Sequence, residues 1–171
     1  RLHPIYLRKK NNIFIYEEEF NKFKTLLKYN FVFLDYPEIN NTNLFFKNSS
    51  FDQNKTIDYL YKNCVLLNFF STMVLEASIF DIPTINLCIN GNEILIRSSR
   101  HDIIHDINED HNQRIISYNG TKQVFKLENI SSEIVFAIEN KLKRSKGRND
   151  IFKNEVEEIT TEANENIGNS V

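Results

Sequence analysis

The fold class is decided by residues 64–88, CVLLNFFSTMVLEASIFDIPTINLC. They begin with the apolar run Cys64–Phe70, in which Asn68 is the only clearly polar residue. Runs of this length that are rich in branched and aromatic residues are typical of strands buried on both faces of a parallel sheet. A second apolar run, Thr84–Ile89, follows Pro83 and predicts a second strand. The stretch therefore predicts a strand–helix–strand unit.

The connection between the two strands is predicted to be a helix with a short turn before it. Ser71-Thr72 follows the first strand directly, and Ser and Thr hydroxyls accept hydrogen bonds from the N–H groups of a first helical turn. The segment Met73–Phe80 then places Met73, Ala77 and Phe80 on one face. Such a unit presents backbone N–H groups at the carboxyl edge of a sheet, where open α/β folds bind anions.

Composition restricts the class of protein. With 171 residues, 41% of them hydrophobic, the chain is long enough to build the core of one ordinary domain. A formal net charge of −2 argues against a general nucleic-acid binder, so we expect no nucleic-acid partner. No stretch has the apolar length of a membrane span. The chain begins at Arg1 without a signal-peptide pattern, so we expect a cytoplasmic location and further residues upstream.

Helical and strand patterns alternate along the rest of the chain, which predicts a mostly parallel, doubly wound, Rossmann-like α/β sheet. We expect four to six strands, helices on both faces and one or more C-terminal helices. We place a nucleotide-binding domain at residues 1–145 and a terminal helix with a frayed tail at residues 146–171. The further predicted elements are strands at Arg1–Pro4, Phe31–Leu34, Arg114–Tyr118 and Lys122–Leu127, helices at Phe14–Tyr29, Thr56–Asn63, Ser131–Lys143 and Asp150–Ile159, a long loop at 38–54 and a break at 145–149.

Two charged or polar groups accompany the central unit as candidate ligands. Glu76 lies four residues after Thr72, so both project from the same side of the helix, and a carboxylate there suits the hydroxyls of a ribose. An ordinary exposed helix position is the alternative. His3 precedes Pro4 at the end of a predicted strand, where it is either a surface residue or a hydrogen-bond donor to phosphate. Asp81 is explained by the turn after the helix. GxGxxG and GxxxxGK[ST] are both absent from the sequence.

Other groups that bind metals in proteins are interpreted as structural or surface residues. His101, His105 and His111 lie in a charged segment without the spacing of a recognised metal motif, so we expect a charged surface and no metal. Cys64 and Cys88 both fall in predicted buried strands, where they are expected to be small core residues rather than a disulfide or metal pair.

The residues Ser71–Ala77 and Asp81–Ile85 resemble the nucleotide-binding half of glycosyltransferases with the GT-B fold. The shared order is a buried strand, Ser-Ser or Ser-Thr, a Glu-Ala in the helix and a Pro before the next strand. His3-Pro4 upstream is similar to the His-Pro of bacterial sialyltransferases, capsule-assembly transferases and glycerophosphotransferases that use CDP-glycerol. The resemblance covers residues 1 to 90 and is sharpest over Asn68–Pro83.

The resemblance implies that His3, Ser71 and Thr72 bind the phosphates of a nucleotide and that Glu76 binds its ribose. The donor would be a CMP- or CDP-linked sugar or glycerol, used as substrate with no cofactor, and the acceptor a glycan or lipid-linked molecule in surface polysaccharide biosynthesis. A missing N-terminal acceptor domain would hold the catalytic residues, so this chain alone is expected to bind but not to turn over. Contact with the inner face of the membrane fits such an acceptor.

Two other interpretations stay open from the sequence. The first is the sugar-nucleotide epimerase that shares this fold. The second is a non-catalytic α/β interaction module, in which Ser71-Thr72 only caps a helix.

Overall fold

The computed structural model describes residues 9–10, 13–14, 17–30, 32, 50–62, 64–89 and 103–157. Its contacts divide the chain into two compact units, Arg1–Asp58 and Tyr59–Val171. In the first unit, strands β1 (Lys9–Lys10) and β2 (Ile13–Phe14) form a short antiparallel pair. Helix α1 (Glu17–Thr25) follows and ends in a 3-10 turn at Leu26–Lys28.

The second unit contains a parallel sheet in the order β3-β4-β5, with the register Leu66↔Thr84 and Thr84↔Thr121. The elements from residue 50 onward are α2 (Ser50–Lys62), β3 (Leu66–Asn68), α3 (Met73–Ile79), β4 (Thr84–Leu87), α4 (Ile103–Asn108), α5 (Asp110–Ser117), β5 (Thr121–Val124), a 3-10 turn (Leu127–Asn129), α6 (Ile130–Glu139), a 3-10 turn (Lys141–Arg144), α7 (Ser145–Phe152) and a π-helical turn (Lys153–Glu157).

The second unit has a helix layer on each face of this sheet. The central strand β4 is buried along its whole length, and its successive side chains point to opposite faces. Ile85 and Leu87 pack with Val124 against α6 through the partly buried Ile130, Ile134 and Ala137. The opposite face carries α3, α5 and α7, where Val74, Ile115 and Ile151 form one cluster and Leu60, Ala77 and Ile82 another. The predicted α/β class with a parallel sheet is therefore confirmed.

The central unit matches its prediction closely. The predicted helix and second strand are present as α3 and β4, and Met73 and Phe80 pack with the buried Ala77, as the helical spacing predicted. The first strand is shorter than Cys64–Phe70 because the chain turns after Asn68: Phe69 is 62% exposed. Cys88 is buried as predicted, but Cys64 is exposed, so its placement in the core was wrong.

Other predictions have mixed outcomes. The described residues contain a parallel sheet of three strands, fewer than the four to six expected, and the larger number stays a prediction because some predicted strands lie outside these residues. Two predictions were wrong. Arg114–Tyr118 belongs mainly to α5 (Asp110–Ser117), whose buried positions have helical spacing: Asn112 and Ile115 are three residues apart. The predicted break at 145–149 is helical: it forms the first five residues of α7, in which Gly147 and Arg148 are buried. The predicted strand at Arg1–Pro4, with His3, and the tail from residue 160 lie outside the described residues.

Candidate functional site at the carboxyl end of β3

The carboxyl end of β3 is organised by one buried amide, that of Asn68, which is 4% exposed. Its Oδ1 accepts hydrogen bonds from the Ser71 hydroxyl at 2.5 Å and from the Ser71 backbone N–H at 3.3 Å. Its Nδ2 donates to the Ser71 carbonyl at 3.3 Å and to Asn86 Oδ1 at 3.2 Å. We call this set of contacts the Asn68 clamp. It holds both the backbone and the hydroxyl of Ser71 at the sheet edge.

The residue before Ser71 has an unusual backbone conformation. Phe70 has φ 45°, in the left-handed region that bulky residues rarely occupy. Such a conformation costs on the order of 1–3 kcal/mol and persists only where surrounding contacts enforce it. The Asn68 clamp spans this residue and provides those contacts. The chain therefore makes a tight, fixed turn between β3 and α3, which leaves Ser71 and Thr72 exposed.

The start of α3 differs from the predicted cap in one respect. Thr72 occupies the N-cap position, but no side-chain hydrogen bond caps the helix. The first turn is closed by backbone bonds instead: the Val74 N–H donates to the Ser71 carbonyl at 3.2 Å, and the Leu75 N–H to the Thr72 carbonyl at 2.9 Å. Among the residues that the structure describes, no acceptor pairs with the N–H groups of Thr72 and Met73. Two backbone donors and the Thr72 hydroxyl are therefore available to an anion.

The four predicted site residues have different outcomes. Ser71, Thr72 and Glu76 are all exposed, and Glu76 lies one helical turn beyond Thr72 on α3. The structure thus brings these three residues to one side of the β3–α3 junction. His3 lies outside the described residues, and its role stays a prediction.

A buried polar row behind this junction was missed by sequence reasoning. Asn86 is 1% exposed, lies beside Asn68 in the register and donates from Nδ2 to Thr121 Oγ1 at 3.3 Å. Gln123 Nε2 donates to the same oxygen at 2.7 Å. The signal in the sequence that could have revealed this row is Asn86, a second Asn within an apolar run, which lies opposite Asn68 in the sheet. Because buried amides are costly unless paired, this row fixes the rotamer of Asn68 and so supports the Asn68 clamp.

Asp81 lies in the turn after α3, as the sequence predicted, and it also pairs with side chains of α7. Its φ of 52° fits the turn at the end of α3. Its Oδ1 also accepts a hydrogen bond from Arg148 Nε at 2.7 Å, and its Oδ2 accepts one from the Ser145 hydroxyl at 2.9 Å. The guanidinium is 3% exposed, and its Nη2 donates to the Lys141 carbonyl. Asp81 therefore joins α3 to α7 and has a structural role.

The His and Cys side chains in the described part of the chain occupy surface or core positions. His105 Nδ1 lies 3.1 Å from Glu109 Oε1 on an exposed part of the helices, and His111 is exposed. Within residues 103–157 and the other described segments, no group of three or more His, Cys, Asp or Glu side chains could hold a metal ion. Burial raises the pKa of the Cys88 thiol, which keeps that thiol protonated and unreactive.

A small open cleft lies at the opposite end of the sheet, near the amino ends of β4 and β5. Its lining includes Pro83, Ile85 and Phe136 together with five basic residues, Lys122, Lys141, Lys143, Arg144 and Arg148. It therefore does not coincide with the β3–α3 junction.

Comparisons of the chain with protein-family models, with curated proteins and with solved structures find no match. None of the helices in the described part of the chain is both long and apolar enough to cross a lipid bilayer. The proposal of function therefore depends on the sequence resemblance and on the geometry of the β3–α3 junction.

Proposed function

We propose that this chain is the donor-nucleotide-binding domain of a group-transfer enzyme, a glycosyltransferase or glycerophosphotransferase of surface polysaccharide biosynthesis. It would bind the phosphates of a CMP- or CDP-linked sugar or glycerol at the junction between β3 and α3. The finer expectations belong to this proposal: a complete doubly wound sheet of four to six strands, an acceptor domain elsewhere, a glycan or lipid-linked acceptor and a cytoplasmic location.

One observation supports the proposal above the others. The Thr72 hydroxyl and the N–H groups of Thr72 and Met73 are donors without acceptors among the described residues, and they lie at the carboxyl edge of a parallel sheet. Ligands of open α/β sheets bind at this edge, and a phosphate needs several donors at once. The Asn68 clamp fixes these donors before any ligand arrives, which reduces the entropy lost on binding.

The two hydroxyls would have different roles. The Ser71 proton is directed at Asn68 Oδ1, so its exposed oxygen is an acceptor unless the hydroxyl rotates. The Thr72 hydroxyl has no such partner in the described part of the chain and donates to phosphate directly. Glu76 would accept from the ribose hydroxyls. During transfer, the same donors would stabilise the departing nucleotide phosphate while an acceptor hydroxyl attacks.

The test is calorimetric titration of the full chain with CMP, CDP, UMP and UDP. Thr72→Val keeps the shape of the side chain and removes the donor, so we expect at least a tenfold weaker affinity, as for the loss of a hydrogen bond to a charged group. Ser71→Ala should weaken binding less, because the Ser71 N–H stays bonded to Asn68. Glu76→Gln should weaken nucleotide binding but not the binding of inorganic phosphate, which has no ribose.

Ser132→Ala provides the matched control, since Ser132 is an exposed hydroxyl near the start of α6 that donates to the Asn129 carbonyl. It should leave the affinity unchanged. A cytidine preference that is lost in His3→Ala would support the transferase, whereas a uridine preference would favour a sugar-nucleotide epimerase or another sugar transferase. Absence of binding to all four nucleotides at millimolar concentration would eliminate both enzyme classes and favour a non-catalytic interaction module.

A further inference from the structure

The outer side of α6 and the turn after it combine exposed apolar and basic side chains. Val135 and Ile138 are each 53% exposed, and Leu142 is 77% exposed. Val135 and Ile138 are three residues apart on α6 and lie on one side of that helix, and Leu142 lies in the 3-10 turn that follows the break at Asn140. In that turn Leu142 is flanked by three cations, of which Lys141 and Lys143 are exposed and Arg144 is half-buried. We call these six residues the basic–apolar face.

Packing within the domain does not explain the apolar part of this face. Helix α6 already contacts the sheet through Ile130, Ile134 and Ala137. A surface helix normally carries polar residues on its other sides, yet Val135 and Ile138 on α6, and Leu142 in the turn after it, are large apolar residues that are exposed. Large apolar side chains that are exposed in one short segment are typical of an interaction site.

The three cations of the face outnumber the one acidic residue within its segment, the exposed Glu139. Lys141 and Arg144 have no ion-pair partner among the described residues, and Lys143 lies 4.7 Å above the Phe136 ring. By contrast, the neighbouring Lys122 is paired with Glu133 at 2.9 Å. The three cations of the face are therefore available to an anionic partner.

We propose that the basic–apolar face docks onto the surface of an anionic lipid bilayer. A helix that carries both apolar and basic side chains on its outer side inserts the apolar ones at the level of the headgroups while its cations contact anionic lipids. A second copy of this chain is a poorer partner, because a symmetric contact would bring Lys141, Lys143 and Arg144 against the same cations. The face does not depend on the β3–α3 junction, so this inference stands or falls separately from the proposed function.

The experiment is cosedimentation of the full chain with vesicles of phosphatidylcholine alone and of phosphatidylcholine mixed with phosphatidylglycerol. We expect binding to the mixed vesicles only, and we expect high salt to weaken it because screening shortens the range of the attraction. Lys141→Gln/Arg144→Gln should lower the partition coefficient by about five-fold per charge, or about 25-fold in all. Ile138→Ser/Leu142→Ser should lower it at least about tenfold by removing apolar side chains that insert.

Lys62→Gln/Lys153→Gln is the matched control, since it removes two exposed charges from helical segments associated with the opposite face of the sheet. It should bind vesicles like the unmodified chain. Circular dichroism should show nearly the same thermal unfolding for all variants, since the changed side chains are exposed or, for Arg144, half-buried.

Three results would overturn the proposal. The first is no sedimentation with either vesicle, and the second is equal binding to both. The third is equal loss of binding in the Gln variant of the face and in the control. Concentration-dependent dimerisation in ultracentrifugation that Ile138→Ser/Leu142→Ser abolishes, without vesicle binding, would identify a second copy as the occupant instead.

Discussion

The helices on the two faces of the sheet are attached in different ways. Helix α7 buries Gly147, Arg148 and Ile151, and it is fixed by directional contacts to α3 and to the turn before β5. Helix α6 contains no fully buried residue and contacts the sheet through a partly buried apolar stripe. Directional contacts fix the position of a helix, whereas a partly buried stripe leaves much of its apolar surface exposed. We call the helices α3, α5 and α7 on one face of the sheet the α7 layer. This layer is held rigidly, whereas α6 on the other face leaves apolar side chains exposed to solvent.

The comparison predicts that substitutions in the α7 layer have large effects on stability, and Gly147→Ala should have the largest. A Cβ at Gly147 would overlap the Tyr118 carbonyl oxygen and the backbone of Asn119 and Gly120, none of which is a flexible side chain. In an ordinary helix this substitution stabilises by roughly 0.5–1 kcal/mol. Here we expect a loss of about 4 kcal/mol, because backbone atoms must move.

Chemical denaturation monitored by circular dichroism measures this effect. Asn149→Ala, at an exposed position of the same helix, is the control and should change the free energy of unfolding by less than about 0.5 kcal/mol. If Gly147→Ala is neutral or stabilising, α7 does not contact the turn at Gly120, and the contrast between the two layers fails.

The Asp81–Arg148 pair should give the next largest effect, and the two partners should differ. Asn tolerates the left-handed φ of residue 81, so Asp81→Asn does not strain the backbone. It leaves the Arg148 side chain, which is 3% exposed, without its counter-charge, and we expect this to cost about 3 kcal/mol. Arg148→Met fills similar volume and leaves a carboxylate that is 39% exposed and therefore hydrated, so we expect about 1 kcal/mol.

Unfolding of both single variants and of the double variant checks this order. The double variant should be no less stable than Asp81→Asn alone, because it has no buried charge left without a partner. Equal costs for the two single variants would mean that Arg148 is hydrated in solution.

The sequence predicted the parts of this fold that depend on local patterns. The apolar runs around Asn68 and Asn86 identified two parallel strands, and the spacing of Met73, Ala77 and Phe80 identified the helix between them. These signals are local. The buried face of a helix or strand is apolar, so the spacing of apolar residues along the chain indicates the type of element.

The contacts that fix α7 could not be predicted in the same way. Gly147 looks like a helix breaker in sequence, and only its approach to Gly120 explains why a helix tolerates it there. Asp81 and Arg148 are 67 residues apart, so their pairing depends on the tertiary structure. At the site, the exposed hydroxyls of Ser71 and Thr72 were predictable, but the Asn68 clamp required the geometry of the turn at Phe70.

The smallest effect should come from a comparison of two glutamates, Glu155 beside α5 and Glu133 on α6. Arg114 donates two hydrogen bonds to the Glu155 carboxylate, from Nε at 2.5 Å and from Nη2 at 2.8 Å, and the Tyr118 hydroxyl donates a third. The hydrogen bonds from Arg114 lower the pKa of Glu155, and the one from Tyr118 lowers it further. Glu133 has one partner, Lys122, whose side chain is 37% exposed.

A lowered pKa in the folded state means that ionised Glu155 stabilises the fold above the ordinary pKa of glutamate, about 4.3, and that this stability is lost as the pH falls through the lower folded value. At neutral pH we expect Glu155→Gln to cost about 1 kcal/mol, a figure reduced by solvent screening around the half-exposed Arg114. The difference from the unmodified chain should disappear in acid, as measured by denaturation across a pH series. Glu133→Gln should cost less than about 0.5 kcal/mol at every pH, because exposed pairs contribute little. If both variants behave alike, the α7 layer has no advantage in its charged contacts, and its rigidity depends on packing at Gly147 and Ile151.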